Sequence, residues 1–362
     1  MPWQKSHGRN REKGKPHGRR HCRRIPRGGA IKFWVLEGRV SEDRWSLWMH
    51  LRSPSGSSGS IVSGTRRMDV EFKVIGIAFA LCAGMLFVGV IPYYAVRHLG
   101  RDKVPPIPRG RVPIRGFGLP DVFGVSLIFG FYVMLFQGAR MSGPESELMA
   151  GDLVVGLIFQ LVIQALEIAF VVLILFRRVN LADAFGLRWR STWWKVVYAP
   201  AVVFVMWGFM ASLEFAGYNA WLGQFIEGDG VQESVKLLQE STEPLVLVLM
   251  ALVVCVGAPL AEEVVFRGYV YTAVKRMAGL PVAVILSGLL FGAVHVNLMA
   301  LLPLTLLGII LALSYEYTGS LWAPIAIHFC FNAATVAIQI LLKINPEWVN
   351  ELEKNAGFIP LW

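Results

Sequence analysis

Hydrophobic residues are grouped in long blocks along this chain instead of alternating with polar residues at the spacing of a soluble core. Eight apolar runs are separated by polar segments, at 74–96, 122–138, 153–176, 196–213, 244–261, 281–299, 300–315 and 321–342. Such runs match the about 20 residues that a helix needs to cross ~30 Å of hydrocarbon at ~1.5 Å per residue. The pattern therefore predicts an all-α, polytopic helical membrane protein with about eight transmembrane helices.

The composition excludes a soluble enzyme. Of the 362 residues, 55% are hydrophobic and 17% are charged, against roughly 45–50% and 25% in soluble domains. The boundary between the sixth and seventh runs is the weakest, because only Asn297 and Pro303 interrupt it. No internal repeat is evident, which weighs against a transporter built from inverted repeats.

The net charge of +10 belongs to an N-terminal tail, residues 1–67, which carries 16 Lys/Arg and 4 Asp/Glu. Three interpretations of this low-complexity tail compete: binding of nucleic acid or anionic lipid headgroups, an ordinary disordered extension, or an upstream start codon with Met68 as the true first residue. We favour the third, because MDVEFK followed by an apolar run is typical of a membrane-protein start. We expect no nucleic-acid partner.

The rest of the chain divides into N-terminal transmembrane helices (68–243), a candidate catalytic region (244–342) and a C-terminal tail (343–362). Basic residues concentrate in 97–121, in 177–195 and in 267–276, whereas 139–152 and 214–243 are mostly acidic. Loops rich in Lys and Arg stay cytoplasmic. Both ends should therefore lie outside the cytoplasm, in an integral protein of the plasma (inner) membrane. The basic tail would oppose this orientation, which is a second argument for a start at Met68.

Ionisable groups inside membrane spans are functional candidates, because each costs about 2.5–3.5 kcal/mol on insertion scales. They concentrate in the last third of the chain, as Glu262, Glu263, Arg267, His295, His328 and Asn332. Glu263 and Arg267 are spaced i and i+4, so they can pair on one helix face, while Glu262 points about 100° away. The same spacing places His328 and Asn332 on one face of the last span.

These residue types support two kinds of water activation. A buried Glu beside a His could act as a general base, with a second His and an Asn stabilising the oxyanion. Alternatively, Glu262, His295 and His328 could bind Zn²⁺, whose bound water is the nucleophile. The spacing does not choose between them. Glu167, alone in the third span, is interpreted as a helix-packing group.

The three motifs together resemble the CPBP family, the CAAX prenyl endopeptidases and bacteriocin-processing (Abi) enzymes. The family pattern is EExxxR, FxxxH and HxxxN, which stands here complete and in order as 262–267, 291–295 and 328–332. The HExxH and GxGD motifs of other intramembrane proteases are absent from the sequence, and GxSG occurs only in the low-complexity tail, at 56–59, outside every predicted span.

The resemblance implies an intramembrane endopeptidase that hydrolyses a peptide bond. Glu262 would activate water with His295, His328 and Asn332 would stabilise the oxyanion, and Glu263 with Arg267 would form a supporting ion pair. It leaves open a zinc-dependent or a metal-free glutamate mechanism. Its implied partners are membrane lipid and a peptide or protein substrate, either prenylated or membrane-embedded.

Two other functions compete with peptidase activity: a non-proteolytic bacteriocin-immunity or scaffold protein with the same fold, and a proton-coupled transporter. One geometric conflict also arises from the predicted spans. A sixth helix starting at Pro281 places His295 about 21 Å along it, whereas His328 lies about 10 Å from Leu321. The helices must tilt, or the predicted boundaries must shift.

Overall fold

The computed structural model describes residues 60–99, 110–141, 150–188, 194–225, 233–345 and 347, and within these ranges every regular element is a helix. The helices are α1 (Ser60–Leu99), α2 (Leu119–Met141), α3 (Ala150–Leu175), α4 (Leu181–Ala184), α5 (Trp194–Val197), α6 (Ala199–Phe215), α7 (Tyr218–Leu222), α8 (Glu233–Glu240), α9 (Pro244–Ala278), α10 (Leu280–Ala293), α11 (Leu298–Thr318) and α12 (Trp322–Ile344). The predicted all-α fold is confirmed.

Among the described residues, seven helical segments are long and apolar enough to cross a membrane. They correspond to seven of the eight predicted spans. The sixth prediction is wrong in length, because α10 has only 14 residues and ends at Ala293. A helix of that length rises about 21 Å, too little to cross ~30 Å of hydrocarbon.

The predicted tails lie mostly outside the described residues, which omit 1–59, 346 and 348–362. Helix α1 runs through Met68, and the start at that residue stays a prediction. The orientation of the two ends also stays a prediction.

Helix α9 is longer than the predicted run 244–261, because it continues through the charged EEVVFRGYVY segment to Ala278. Two stretches of it, Val253–Gly257 and Glu263–Tyr271, have π-helical hydrogen bonding. A π turn carries more residues per turn than an α turn and recurs at functional sites. Here the two π stretches flank Glu262 and turn consecutive side chains of α9 towards different neighbours.

Helices α10 and α11 pack closely because glycines face each other. A Cβ atom on Gly308 would lie 2.9 Å from the Cα atom of Gly288, and one on Gly288 would lie 2.9 Å from the Thr305 carbonyl oxygen. Small residues permit this approach of two backbones in a membrane protein. The contact fixes the end of α10, where the FxxxH motif lies.

Two buried carboxylates, Asp121 of α2 and Glu316 of α11, accept hydrogen bonds from side chains of α9. Asp121 accepts two hydrogen bonds from Arg178, at 2.8 and 2.7 Å, and one from the Tyr269 hydroxyl at 3.2 Å. The hydrogen bonds to Asp121 raise the pKa of the Arg178 guanidinium above its usual value. Glu316 accepts from Lys275 at 2.7 Å and from Tyr271 at 2.6 Å. Both networks hold the C-terminal half of α9 in place.

Candidate active site

A cavity of about 160 Å³ lies among α6, α8, α9, α11 and α12. Four of the predicted site residues line it: Glu262, His295, His328 and Asn332. The structure therefore brings together side chains from three motifs that are up to 70 positions apart in the sequence. Most of the other lining residues are apolar, so the polar groups form one cluster in a hydrophobic surrounding.

Glu263 is the centre of a buried charge cluster behind this cavity. Its Oε1 atom accepts a hydrogen bond from Arg267 Nη1 at 2.8 Å and lies 2.9 Å from His328 Nδ1. The guanidinium also donates to the Gly308 carbonyl at 3.1 Å and lies 4.5 Å from the centre of the Phe291 ring. The side chains of Glu263 and Arg267 are fully buried, so the predicted i, i+4 pair is present as a desolvated ion pair.

Glu262 differs from its neighbour in environment. Glu262 is half-buried and lines the cavity, whereas Glu263 is fully buried and does not; the Oε2 atom of each is buried with no hydrogen-bond partner in the described part of the chain. A buried polar atom normally has a partner, since leaving it unsatisfied costs free energy. Because the residue lines the cavity, a small movement of its carboxylate would let a water molecule or a substrate satisfy this oxygen.

His295 lies in the turn between α10 and α11, not within a span as the sequence predicted. Helix α10 ends at Ala293, and Val296 has a φ of 48°, a left-handed conformation rare for a β-branched residue. His295 and His328 nevertheless line the same cavity, so the structure brings together the two residues whose predicted depths conflict. Its Nδ1 atom lies 2.7 Å from the Phe291 carbonyl oxygen. A carbonyl only accepts, so Nδ1 carries the hydrogen, and Nε2 of the neutral ring keeps a lone pair.

His328 and Asn332 both line the cavity from α12, as their spacing predicts. His328 is held by its Nδ1 contact to Glu263 and is 3% exposed. Asn332 donates from Nδ2 to the Val254 carbonyl at 2.7 Å, an oxygen within the first π stretch of α9. An amide nitrogen has two hydrogens, so one remains for a second acceptor.

Residues 244–334 match the family described as type II CAAX prenyl endopeptidase Rce1-like. The resemblance to the CAAX prenyl endopeptidases is confirmed for this segment.

Two curated relatives also match part of this chain. YdiL of Bacillus subtilis (strain 168), named as a membrane peptidase, is 29% identical over 133 residues, which are 37% of this chain and 50% of YdiL. The membrane-embedded CAAX protease MroQ of Staphylococcus aureus (strain USA300) is 32% identical over 131 residues, 33% of this chain and 51% of MroQ. The chain thus spans about half the length of the curated relatives it matches. No solved structure matches.

The sequence interpretation missed a polar pair beside the Rce1-like segment. The Tyr132 hydroxyl donates to Glu167 Oε1 at 3.0 Å, and the Tyr132 ring stacks on Phe266 with centroids 5.5 Å apart. Glu167 lies close enough to Glu262 for the two carboxyl groups to interact electrostatically. Glu167 thus forms a polar contact between two spans, as the sequence predicted. Its partner comes from α2, and no spacing in the sequence indicates that partner.

A zinc site would require the donor atoms of Glu262, His295 and His328 to surround one point. Among the described residues, no three His, Cys, Asp or Glu side chains are grouped so that they could hold a metal ion. His328 also directs Nδ1 to Glu263. The arrangement does not fit a three-ligand zinc site, and a role for zinc stays a prediction.

Proposed function

We propose that the protein is an intramembrane endopeptidase in which Glu262, assisted by His295, activates a water molecule. One observation carries the proposal: Glu262, which has a carboxylate oxygen without a partner among the described residues, lines the same cavity as His295. The Phe291 carbonyl fixes the tautomer of this histidine, which leaves Nε2 as an acceptor. The match of residues 244–334 to the Rce1-like family supports the same chemistry.

In the first step, the Glu262 carboxylate removes a proton from water while His295 accepts a hydrogen bond from the same molecule. The water oxygen forms a bond to the carbonyl carbon of the substrate, and the carbonyl π electrons move to its oxygen. A general base placed in this way contributes about 10²–10⁴-fold to the rate. A cavity with mostly apolar walls strengthens each of these polar interactions.

In the second step, the tetrahedral intermediate collapses and the carbon–nitrogen bond breaks. The proton held by Glu262 moves to the leaving amine. Asn332 donates its second N–H to the oxyanion. His328 can donate from Nε2 when it is protonated on both nitrogens, and Glu263 then balances its charge through Nδ1.

The apolar walls favour a peptide segment with hydrophobic side chains, presented from the membrane. They include Met210, Met250, Leu304 and Leu307. The names of the family and of MroQ make a prenylated CAAX protein the first substrate to test. We propose the plasma membrane as the location, where membrane lipid surrounds the exposed apolar side chains of the spans.

The test compares protein termini by mass spectrometry in cells carrying the wild-type protein or Glu262→Gln. Glu243→Gln is the matched control, because Glu243 is an exposed carboxylate at the start of the same helix and caps no backbone N–H. Termini that depend on Glu262 but not on Glu243 support the peptidase and identify its substrate. Identical termini in all three strains, with Glu262→Gln still restoring a deletion phenotype, support a non-proteolytic scaffold instead.

A further inference from the structure

Helix α8 forms one wall of the cavity although it is not a membrane span. Val235 and Leu238 of this helix line the cavity together with Glu262 and the two histidines. With only eight residues, α8 is too short to be stable without contacts to the rest of the protein. Its position at the cavity therefore depends on its contacts with neighbouring helices.

Two side chains of α12 hold the C-terminal end of α8. Gln239 Nε2 donates to Gln339 Oε1 at 2.7 Å, and the Lys343 ammonium donates to the carbonyl oxygens of Leu238 and Ser241. The last carbonyls of a helix have no partner within the helix, and a cation placed there is favourable. We call Gln239, Gln339 and Lys343 the latch.

The apolar side of α8 packs on the beginning of α9. Leu237 and Leu238 are buried and belong to a small cluster with Val246 and Met250 of α9. This cluster is separate from the main hydrophobic core of the protein. Residues 241–243 connect the two helices, so this cluster and the latch are what hold α8 against the spans.

The cavity is too small for the reaction as the structure stands. Its volume is about 160 Å³, whereas ligand pockets usually enclose about 300–1,000 Å³. A peptide segment with a scissile bond and flanking side chains needs at least that space. The walls supplied by α6, α9, α11 and α12 are long helices with many neighbours in the core. The wall supplied by α8 is the shortest of the lining helices, and its buried leucines lie outside the main core, which makes it the first candidate for movement.

We propose that α8 is a gate over the cavity, held closed by the latch and displaced when substrate binds. This inference rests on the proposed function for the identity of the cavity as an active site. Lids of this type exclude water until substrate is in place and complete the site on closing. Lys343 acts as a positioning residue for the gate, and Gln339, which also lines the cavity, holds α8 through Gln239.

The first experiment measures access to the cavity and needs no substrate. The four native cysteines, Cys22, Cys82, Cys255 and Cys330, are replaced, and Thr335, which lines the cavity, becomes the sole thiol through Thr335→Cys. The rate of labelling by a small water-soluble thiol reagent is compared with and without Lys343→Met. We expect labelling to become about five- to tenfold faster, the change that follows from losing an interaction of ordinary hydrogen-bond strength.

Lys343→Arg is the matched control, because it keeps a cation with donors at the same position. Its labelling rate should stay near that of the parent protein. Equal rates for the Met and Arg variants would overturn the gate. Elution and melting of the Lys343→Met protein in detergent should match the parent, and a general loss of folding would also overturn the proposal, because the latch would then be part of the core.

The second experiment locks the gate in the same cysteine-free protein. Gln239→Cys and Gln339→Cys are joined by a bis-methanethiosulfonate linker, which spans the gap that the two glutamine side chains fill and which reductant cleaves. We expect peptide cleavage to fall at least about tenfold after linking and to return on reduction. Full cleavage in the linked protein would overturn the gate while leaving the peptidase in place. A protein that never cleaves peptides would instead contradict the proposed function, and the labelling result would still decide whether α8 moves.

Discussion

His328 and Arg267 contact the same oxygen atom of Glu263. The Oε1 atom lies 2.9 Å from His328 Nδ1 and 2.8 Å from Arg267 Nη1. A residue of α9 thus sets the position of a cavity-lining histidine of α12, and the ion pair behind the cavity and the polar cluster inside it form one unit. Of two adjacent glutamates, one faces the charge cluster and the other faces the cavity.

Breaking this ion pair should destabilise the protein. Glu263→Ala leaves the Arg267 guanidinium buried without its carboxylate, and removal of one member of a buried pair costs about 3–5 kcal/mol. We expect a clear fall in the melting temperature in detergent. Arg188→Met is the matched control, because Arg188 and Asp183 form a pair whose side chains are 55% and 58% exposed, and such pairs contribute about 0–1 kcal/mol. Equal melting temperatures for both variants would contradict a structural role for Glu263.

Glu262→Gln should lower the cleavage rate while leaving the melting temperature nearly unchanged. The amide has the shape of the carboxylate but cannot accept a proton from water, so cleavage should fall about 10²–10⁴-fold. The Oε2 atom has no partner among the described residues, so the melting temperature should change little. Rates are measured on a substrate identified from Glu262-dependent termini. Cleavage within a few-fold of the wild-type rate would remove Glu262 from the proposed mechanism.

His295→Ala tests the second member of the proposed catalytic pair. The imidazole is held by the Phe291 carbonyl and lies 5.0 Å from the Phe291 ring centre. We expect the cleavage rate to fall by about 10²-fold or more, since the water loses its second polar contact. Folding should persist, because His295 is in a turn and only half-buried. Retained cleavage with normal elution in detergent would assign the water to Glu262 alone.

Chelation separates the two mechanisms that the motifs leave open. The described residues offer no group of three metal-ligating side chains, so we expect the purified protein to keep its cleavage rate after dialysis against a strong zinc chelator. The measurement is paired with metal analysis of the same sample by mass spectrometry. A rate that falls on chelation and recovers on addition of Zn²⁺ would show that the site rearranges around a metal.

Local spacing in the sequence predicts much of this site. The i, i+4 separations of Glu263 with Arg267 and of His328 with Asn332 place each pair on one face, as the structure has them. The cost of placing charges in a membrane also makes these residues conspicuous. Spans with uniform apolar runs are predictable for the same reason, because the bilayer sets their length.

The rest depends on contacts between distant parts of the chain. The Tyr132 hydroxyl donates a hydrogen bond to Glu167, 35 positions away in the sequence, and Gln239 donates one to Gln339, 100 positions away. Helix α10 is short because the chain turns before α11, at Val296. A hydrophobicity profile does not show a turn that lies within an apolar run. The π stretches of α9 likewise occur in a sequence whose spacing is compatible with an ordinary α-helix.

Close packing of α10 on α11 gives a further prediction. In Gly308→Ala the new methyl group would lie 2.9 Å from the Gly288 Cα atom and 3.0 Å from the Gly288 carbonyl oxygen, atoms of a backbone that cannot rotate away. The two helices must therefore separate, which costs about 1–3 kcal/mol. The Gly308 carbonyl, which accepts a hydrogen bond from Arg267 at 3.1 Å, would shift with its helix.

Because α10 ends beside the cavity, Gly308→Ala should lower cleavage as well as the melting temperature. Gly130→Ala in α2 is the matched control, since its Cβ atom would meet nothing within 4 Å. Alanine is favoured over glycine in a helix by about 1 kcal/mol, so that variant should melt at the same or a slightly higher temperature. A Gly308→Ala protein as stable and active as Gly130→Ala would mean that α10 and α11 do not hold the FxxxH motif through this contact.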